Sequence, residues 1–165
     1  MFILGHSALT LAAARAVDQD IDMRPAILLA LAPDIIDKPV SWLFPALVND
    51  NSRGFGHTFL AAVVLLAVLA ALRLRPKHCL LLWGCFVGHF LLDRMWLHEN
   101  PQVFLWPLLG PMPPPLPRGP IRQQIFFFNL KSEAVGLGVA LFLARRHRLF
   151  APGRFRSFLH TGRFG

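Results

Sequence analysis

The sequence predicts an all-α, multi-helix membrane bundle of about four to five apolar helices, some of them short, with a polar metal site at the helix ends. Three observations predict it. Hydrophobic residues make up 55% of the 165-residue chain, charged residues only 16%, and mean hydropathy is +0.49. A soluble domain runs about 45–50% apolar and about 25% charged, so disorder is excluded and an ordinary soluble globule disfavoured. No stretch of useful length alternates with period two, which argues against strands. The net charge of +8 and pI near 11.3 leave two classes, a membrane protein with cationic cytoplasmic loops or a nucleic-acid binder.

The elements follow in order. Short apolar runs cover residues 8–17 and 25–33. Residues 58–72 carry no charge, and 79–92 are apolar apart from His89. A last run covers 133–144, preceded by IFFFNL and interrupted by Lys131. None reaches the roughly 20 residues of a standard span, and 58–72 would rise only about 22 Å as a helix. Between them, 18–24 is polar, and 38–56 reads as a loop containing Pro39, Pro45 and Gly54. Pro76 breaks 73–77, and the proline-crowded 100–120 reads as a rigid, membrane-facing connection. The N-terminus lacks the basic segment of a signal peptide and reads as retained. Cys79 and Cys85 lie about 9 Å apart along a helix, too far for a disulfide, and read as small apolar residues. The chain divides into a helical membrane domain over 1–150 and a basic juxtamembrane tail over 151–165.

Charge placement separates the two classes. Arg73, Arg75 and Lys77 fill one short loop, and Arg145, Arg146, Arg148, Arg154, Arg156 and Arg163 follow the last run. The positive-inside rule makes both places cytoplasmic. Threading the runs backwards puts Arg15 and Arg24 inside as well, and Lys38, Arg53, Arg94, Arg118 and Arg122 outside. Lys131 reads as lying near a helix end. The Arg–Phe tail could stack on bases, but it follows an apolar helix directly, and a tail lying on anionic lipid needs fewer assumptions. The expected partner is therefore the lipid bilayer and not nucleic acid.

The acids and histidines then stand out. Gly5-His6-Ser7 opens the first run, and Ala32–Pro39 (APDIIDKP) closes the second. Arg53-Gly54-Phe55-Gly56-His57-Thr58 opens the third, and Gly88-His89-Phe90-Leu91-Leu92-Asp93-Arg94 closes the fourth. The topology places all four ends on one side. His89 and Asp93 stand at i and i+4, and Asp34 and Asp37 at i and i+3, spacings that share a helix face. Three imidazoles (His6, His57, His89) and three carboxylates (Asp34, Asp37, Asp93) make six candidate ligands. Mixed N/O ligation suits a divalent metal, zinc first, with manganese or iron as alternatives, and the carboxylates allow one or two ions. A metal also offsets the several kcal/mol that ionisable groups cost in apolar surroundings. Each motif alone has an ordinary reading as a core histidine, helix cap or turn; the weight lies in their combination. Glu99 reads as loop, and Glu133 as a structural partner of Lys131 or an outlying site residue. His78, His98, His147 and His160 sit beside loops or basic residues and read as background.

These motifs in this order, together with Trp106-Pro107-Leu108, resemble a family of small bacterial and archaeal inner-membrane proteins described as metal-dependent hydrolases. The resemblance covers about residues 5–110 and is most specific in PDIIDKP and RGFGHT. This chain departs from one branch of that family, where a histidine follows the second acid; here Lys38 stands there. The resemblance implies a multi-pass protein of the cytoplasmic (inner) membrane and a metal-dependent hydrolase, and says little about substrate.

The resulting expectation is a metal-activated water attacking an ester or phosphoester of a small-molecule or lipid-like, amphiphilic substrate. Asp37 is the expected base and Arg53 a second catalytic group, with Lys38 and Arg53 binding the substrate. The alternatives are a non-catalytic membrane protein with a structural metal or polar core, and a metal or proton transporter, whose ligands should be strung across the bilayer.

Overall fold

The computed structural model describes residues 3–98, 100–117 and 119–164, so Glu99 and Arg118 lie outside the described residues. Seven α-helices and no strand occur among those residues: α1 (Ile3–Val17), α2 (Met23–Leu43), α3 (Phe59–Ala71), α4 (Pro76–Leu92), α5 (Asn100–Phe104), α6 (Pro120–Arg146) and α7 (Arg154–Thr161). Helix α2 packs on α1 and α4, α3 packs on α4, and α1 lies along α6. Two 3-10 turns, Pro45–Val48 and Phe55–His57, bridge α2 to α3 and rest on α2.

Helix α2 differs most from the sequence reading. It begins at an Asp22 cap that accepts from the Arg24 N–H, and it runs through Pro33 and Pro39 to Leu43. Each proline removes a helical hydrogen bond, normally a reason to stop. Here Pro33 is fully buried, and packing of Met23, Ala26 and Ala30 against the bundle sustains the helix. The loop expected from residue 38 therefore starts after Leu43.

Helix α6 is the second departure. Lys131 and Glu133 do not end it or begin a new one. It is one 27-residue helix, with Lys131 near its middle rather than its end, and it is the one described helix long and apolar enough to cross a membrane. Its apolar window is 6% buried in the bundle. Glu133 is accommodated because it accepts from the Leu4 and Gly5 N–H groups at 3.1 and 2.7 Å, satisfying donors that the start of α1 leaves open. The two helices touch at Gly5 and Gly136, where a Cβ on Gly136 would collide with the Gly5 backbone. Helix α3, at 13 residues, is apolar but short.

The basic segments converge at one end of the bundle. Lys77 pairs with Asp18 at 3.0 Å, joining the α3–α4 turn to the α1–α2 turn. The C-terminal tail does not lie loose: the Met23 N–H donates to Gly162 O at 2.8 Å, and Arg24 donates to His160 O at 2.8 Å. Phe164 stacks between His147 and Phe158 and lies under Arg15. The acid–histidine motifs gather towards the other end. Cys79 and Cys85 are both free and buried.

Candidate metal centre

Four elements bring five candidate ligands together. His6 comes from the first turns of α1, Asp34 from the middle of α2, His57 from the 3-10 turn before α3, and His89 and Asp93 from the end of α4. All five are buried. His6 Nε2 lies 3.3 Å from Asp93 Oδ1. His57 Nε2 lies 3.4 Å from Asp93 Oδ2 and 3.9 Å from Asp34 Oδ1. Two groups satisfy the spacing for an ion, His6–His89–Asp93 and Asp34–His57–His89.

Hydrogen bonding fixes which nitrogens face the centre. His89 Nδ1 lies 2.7 Å from Ala30 O, in the turn before Pro33. A carbonyl can only accept, so Nδ1 carries the proton and Nε2 presents its lone pair. His57 Nδ1 lies 2.6 Å from Asp37 Oδ2, which also accepts from the Gly54 and His57 N–H groups, so here too Nδ1 donates. The two Nε2 atoms then point at each other across 3.1 Å. Two lone pairs at that distance repel unless a proton or a cation lies between them. Two further buried atoms, His6 Nε2 and Asp93 Oδ1, have no hydrogen-bond partner among the described residues. Unpartnered nitrogen and carboxylate atoms facing one point are the donor set a divalent ion takes, so the residues fit a metal.

Asp37 behaves differently from Asp34 despite sharing its helix face. It is fully buried, and its oxygens accept from Gly54, Gly56 and His57 N–H at 2.7, 2.7 and 3.1 Å besides the His57 ring. Three of these bonds fall on Oδ2 and one on Oδ1, so this carboxylate holds the Arg53–Thr58 turn and the His57 ring, and neither ligand group contains it. The glycines of that turn are explained by proximity: a Cβ on Gly56 would sit 2.8 Å from Pro33 O, and one on Gly54 2.8 Å from Val48. Thr58 closes the turn by capping α3, its Oγ1 accepting from the Ala61 N–H at 3.0 Å.

Arg53 donates through Nε to Asp93 Oδ2 at 2.9 Å and through Nη1 to Asn100 Oδ1 at 3.3 Å. Lys38 donates to Asp34 Oδ2 at 3.1 Å. Both cations thus brace a candidate ligand while lining a cavity of about 260 Å³ that reaches Asp34 and Asp93 and has α6 as another of its walls. Burial works against charge on Asp93, but the imidazoles of His57 and His6 and the Arg53 guanidinium outweigh it and hold the carboxyl well below the usual range. Burial likewise opposes charge on His57, and its contacts with Asp37 and Asp93 prevail, raising its pKa. Sequence reasoning missed Asn100, Ala30 O and the α6 wall. Asn100 stands in HENP, passed over as loop; a backbone carbonyl and a neighbour from a distant helix leave no local trace.

The chain matches no curated protein and no solved structure. It does match, over residues 1–157, the family model described as YdjM inner membrane protein, which spans all the motifs and reaches the first half of α7. With nearly its whole length matched, the chain belongs to the YdjM family of inner membrane proteins.

Proposed function

We propose that this protein is a multi-pass, membrane-embedded metal-dependent hydrolase acting on an ester or phosphoester of an amphiphilic substrate. The observation that carries the proposal is the set of unpartnered lone pairs converging on one buried point beside a cavity. His6, Asp34, His57, His89 and Asp93 would hold the ion, with zinc the best match to this nitrogen-rich set. The two triads share the single inward lone pair of His89, so together they would hold one ion and are not two independent sites. When bound, such an ion lowers the pKa of a coordinated water to about 7 and polarises the scissile group. The chain's own residues do the rest. Asp37 fixes the His57 tautomer, Arg53 orients Asp93, and Lys38 and Arg53 present positive charge to an anionic substrate. Asp34, at the cavity wall with Lys38 on its Oδ2, has its Oδ1 left for the ion.

Crossing by the shorter helices is part of the proposal. Leu60, Val63, Val64 and Val68 on α3 are each about half exposed, as are Phe126, Phe127, Leu130 and Val135 on α6. Water would meet extensive apolar surface on both helices, which lipid covers at no cost. A transporter would string its ligands across the bilayer, whereas these cluster in one place. A non-catalytic structural ion is favoured by the burial of all five ligands, and disfavoured by the cavity that opens on two of them. Elemental analysis of detergent-purified protein, joined to hydrolysis assays on carboxyl- and phosphoester amphiphiles with and without chelator, tests the proposal. Stoichiometric metal and chelator-sensitive hydrolysis support it; metal without turnover of any ester moves the protein to the structural reading.

A further inference from the structure

The cavity beside Asp34 and Asp93 has a feature that the metal site does not require. One of its walls is α6, which contributes Arg122 and Phe126. Two of its three cations are already matched, Lys38 by Asp34 and Arg53 by Asp93. Arg122 makes no ion pair among the described residues, so it leaves the cavity with one uncompensated positive charge facing two carboxylate–cation pairs. An unpaired guanidinium lining a cavity of about 260 Å³, close to the lower end of ligand pockets at roughly 300 Å³, is suited to bidentate contact with an oxyanion. The neighbouring surface is apolar. Phe126 lines the cavity and is still 53% exposed, and the Phe127 ring, its centroid 5.8 Å away, is 59% exposed. Charge inside and exposed aromatic surface at the rim match a molecule with a charged head and an apolar tail.

We infer that Arg122 on α6 is a specificity-determining residue that binds the phosphate of a phosphate-bearing amphiphile, with the apolar tail running along the Phe126–Phe127 surface. The inference rests on the hydrolase reading for what happens to that phosphate, but not for its binding. Arg122 is on a helix that carries none of the metal motifs and makes no hydrogen bond or ion pair to a candidate ligand among the described residues, so its loss should leave the ion in place. Carried on α6, it selects the charged head, and Lys38 and Arg53 supply field without giving up their carboxylates.

The test is calorimetric titration of purified full-length protein in detergent with three probes: dioctanoyl phosphatidic acid, dioctanoylglycerol and inorganic phosphate. Phosphatidic acid should bind at least about tenfold more tightly than the other two, the scale of one charge-assisted contact. Arg122→Ala should weaken it about tenfold, and Arg122→Lys, which keeps charge but loses the fork, by less. Metal content and melting temperature of both variants should equal wild type, which separates binding from misfolding. Equal binding of phosphatidic acid and dioctanoylglycerol overturns the inference, as does an Arg122→Ala affinity equal to wild type. Inorganic phosphate binding as tightly as the lipid overturns the amphiphile. Wild-type protein devoid of metal that still binds phosphatidic acid through Arg122 sinks the hydrolase reading and leaves this one standing.

Discussion

Replacing Asp37 by asparagine separates a positioning role from a reacting one. The carboxylate accepts four hydrogen bonds and has no exposed surface. An amide keeps one oxygen. With that oxygen at the Oδ2 position, three bonds survive, and the amide NH₂ faces the Gly56 N–H that Oδ1 formerly accepted. One orphaned buried donor costs about 1–3 kcal/mol. The surviving bonds also pass from a charged to a neutral acceptor, roughly halving their strength, for a total of about 2–4 kcal/mol. A domain with a typical 5–15 kcal/mol survives that loss. His57 keeps its place but loses its charged anchor, and such changes behind a ligand weaken metal binding by about 10–100-fold. Competition with a graded chelator series on purified protein reads this directly, with chelator-free thermal melting as the stability readout. Two results refute the reasoning: an affinity within about twofold of wild type, which would mean that Asp37 does not orient His57, or complete loss of metal, which would make Asp37 itself a ligand.

Other substitutions probe the same geometry. His89→Ala and Asp34→Ala should each abolish stoichiometric metal by elemental analysis, and metal retained in both would sink the ligand assignment. Gly56→Ala forces a Cβ against the Pro33 carbonyl at 2.8 Å, and should cost about 1–3 kcal/mol in thermal unfolding. Metal retention should fall with pH: His57 binds an ion through the Nε2 that would otherwise take a proton, and its pKa is raised, so proton competition begins above the ordinary value of about 6.5. Dialysis against limiting metal over a pH series checks the sign, and constant metal content down to about pH 5 contradicts it.

The legible parts of this molecule are those where a polar residue interrupts an apolar run. His6, Asp34, His57, His89 and Asp93 stood out because hydrocarbon surroundings make such residues costly, and that cost is visible residue by residue. Asp37 passed the same test and was placed with them, because i, i+3 spacing reports a shared face and cannot report what covers it. What covers it is the backbone of the Arg53–Thr58 turn, whose N–H groups have no sequence signature. The prolines misled in the opposite direction. Pro33 and Pro39 carry a local penalty that the tertiary packing of α2 outweighs. Lys131 and Glu133 likewise hid the continuity of α6, since Glu133 is paid for by donors on a helix more than a hundred residues away. The docked tail escaped for the same reason: its hydrogen bonds to Met23 and Arg24 are long-range.

That distant pairing has a consequence for how the site assembles. Helix α6 is the described helix with membrane length, and it contributes no candidate ligand, yet it holds the start of α1 by two hydrogen bonds to Glu133 and by backbone contact at Gly5 and Gly136. His6 is the next residue after Gly5, and its Nε2 is one of the unpartnered atoms at the centre. A carboxylate on an apolar helix is tolerable only when its acceptors are filled, and here the fillers are N–H groups that α1 cannot satisfy by itself. Each helix therefore removes the other's unpaired group, and the seating of α6 against α1 sets the position of His6. The α6 wall of the cavity beside Asp34 and Asp93 depends on the same seating. Metal binding and the cavity are thus coupled through one helix pair, although no hydrogen bond or ion pair among the described residues joins the ligands to Arg122.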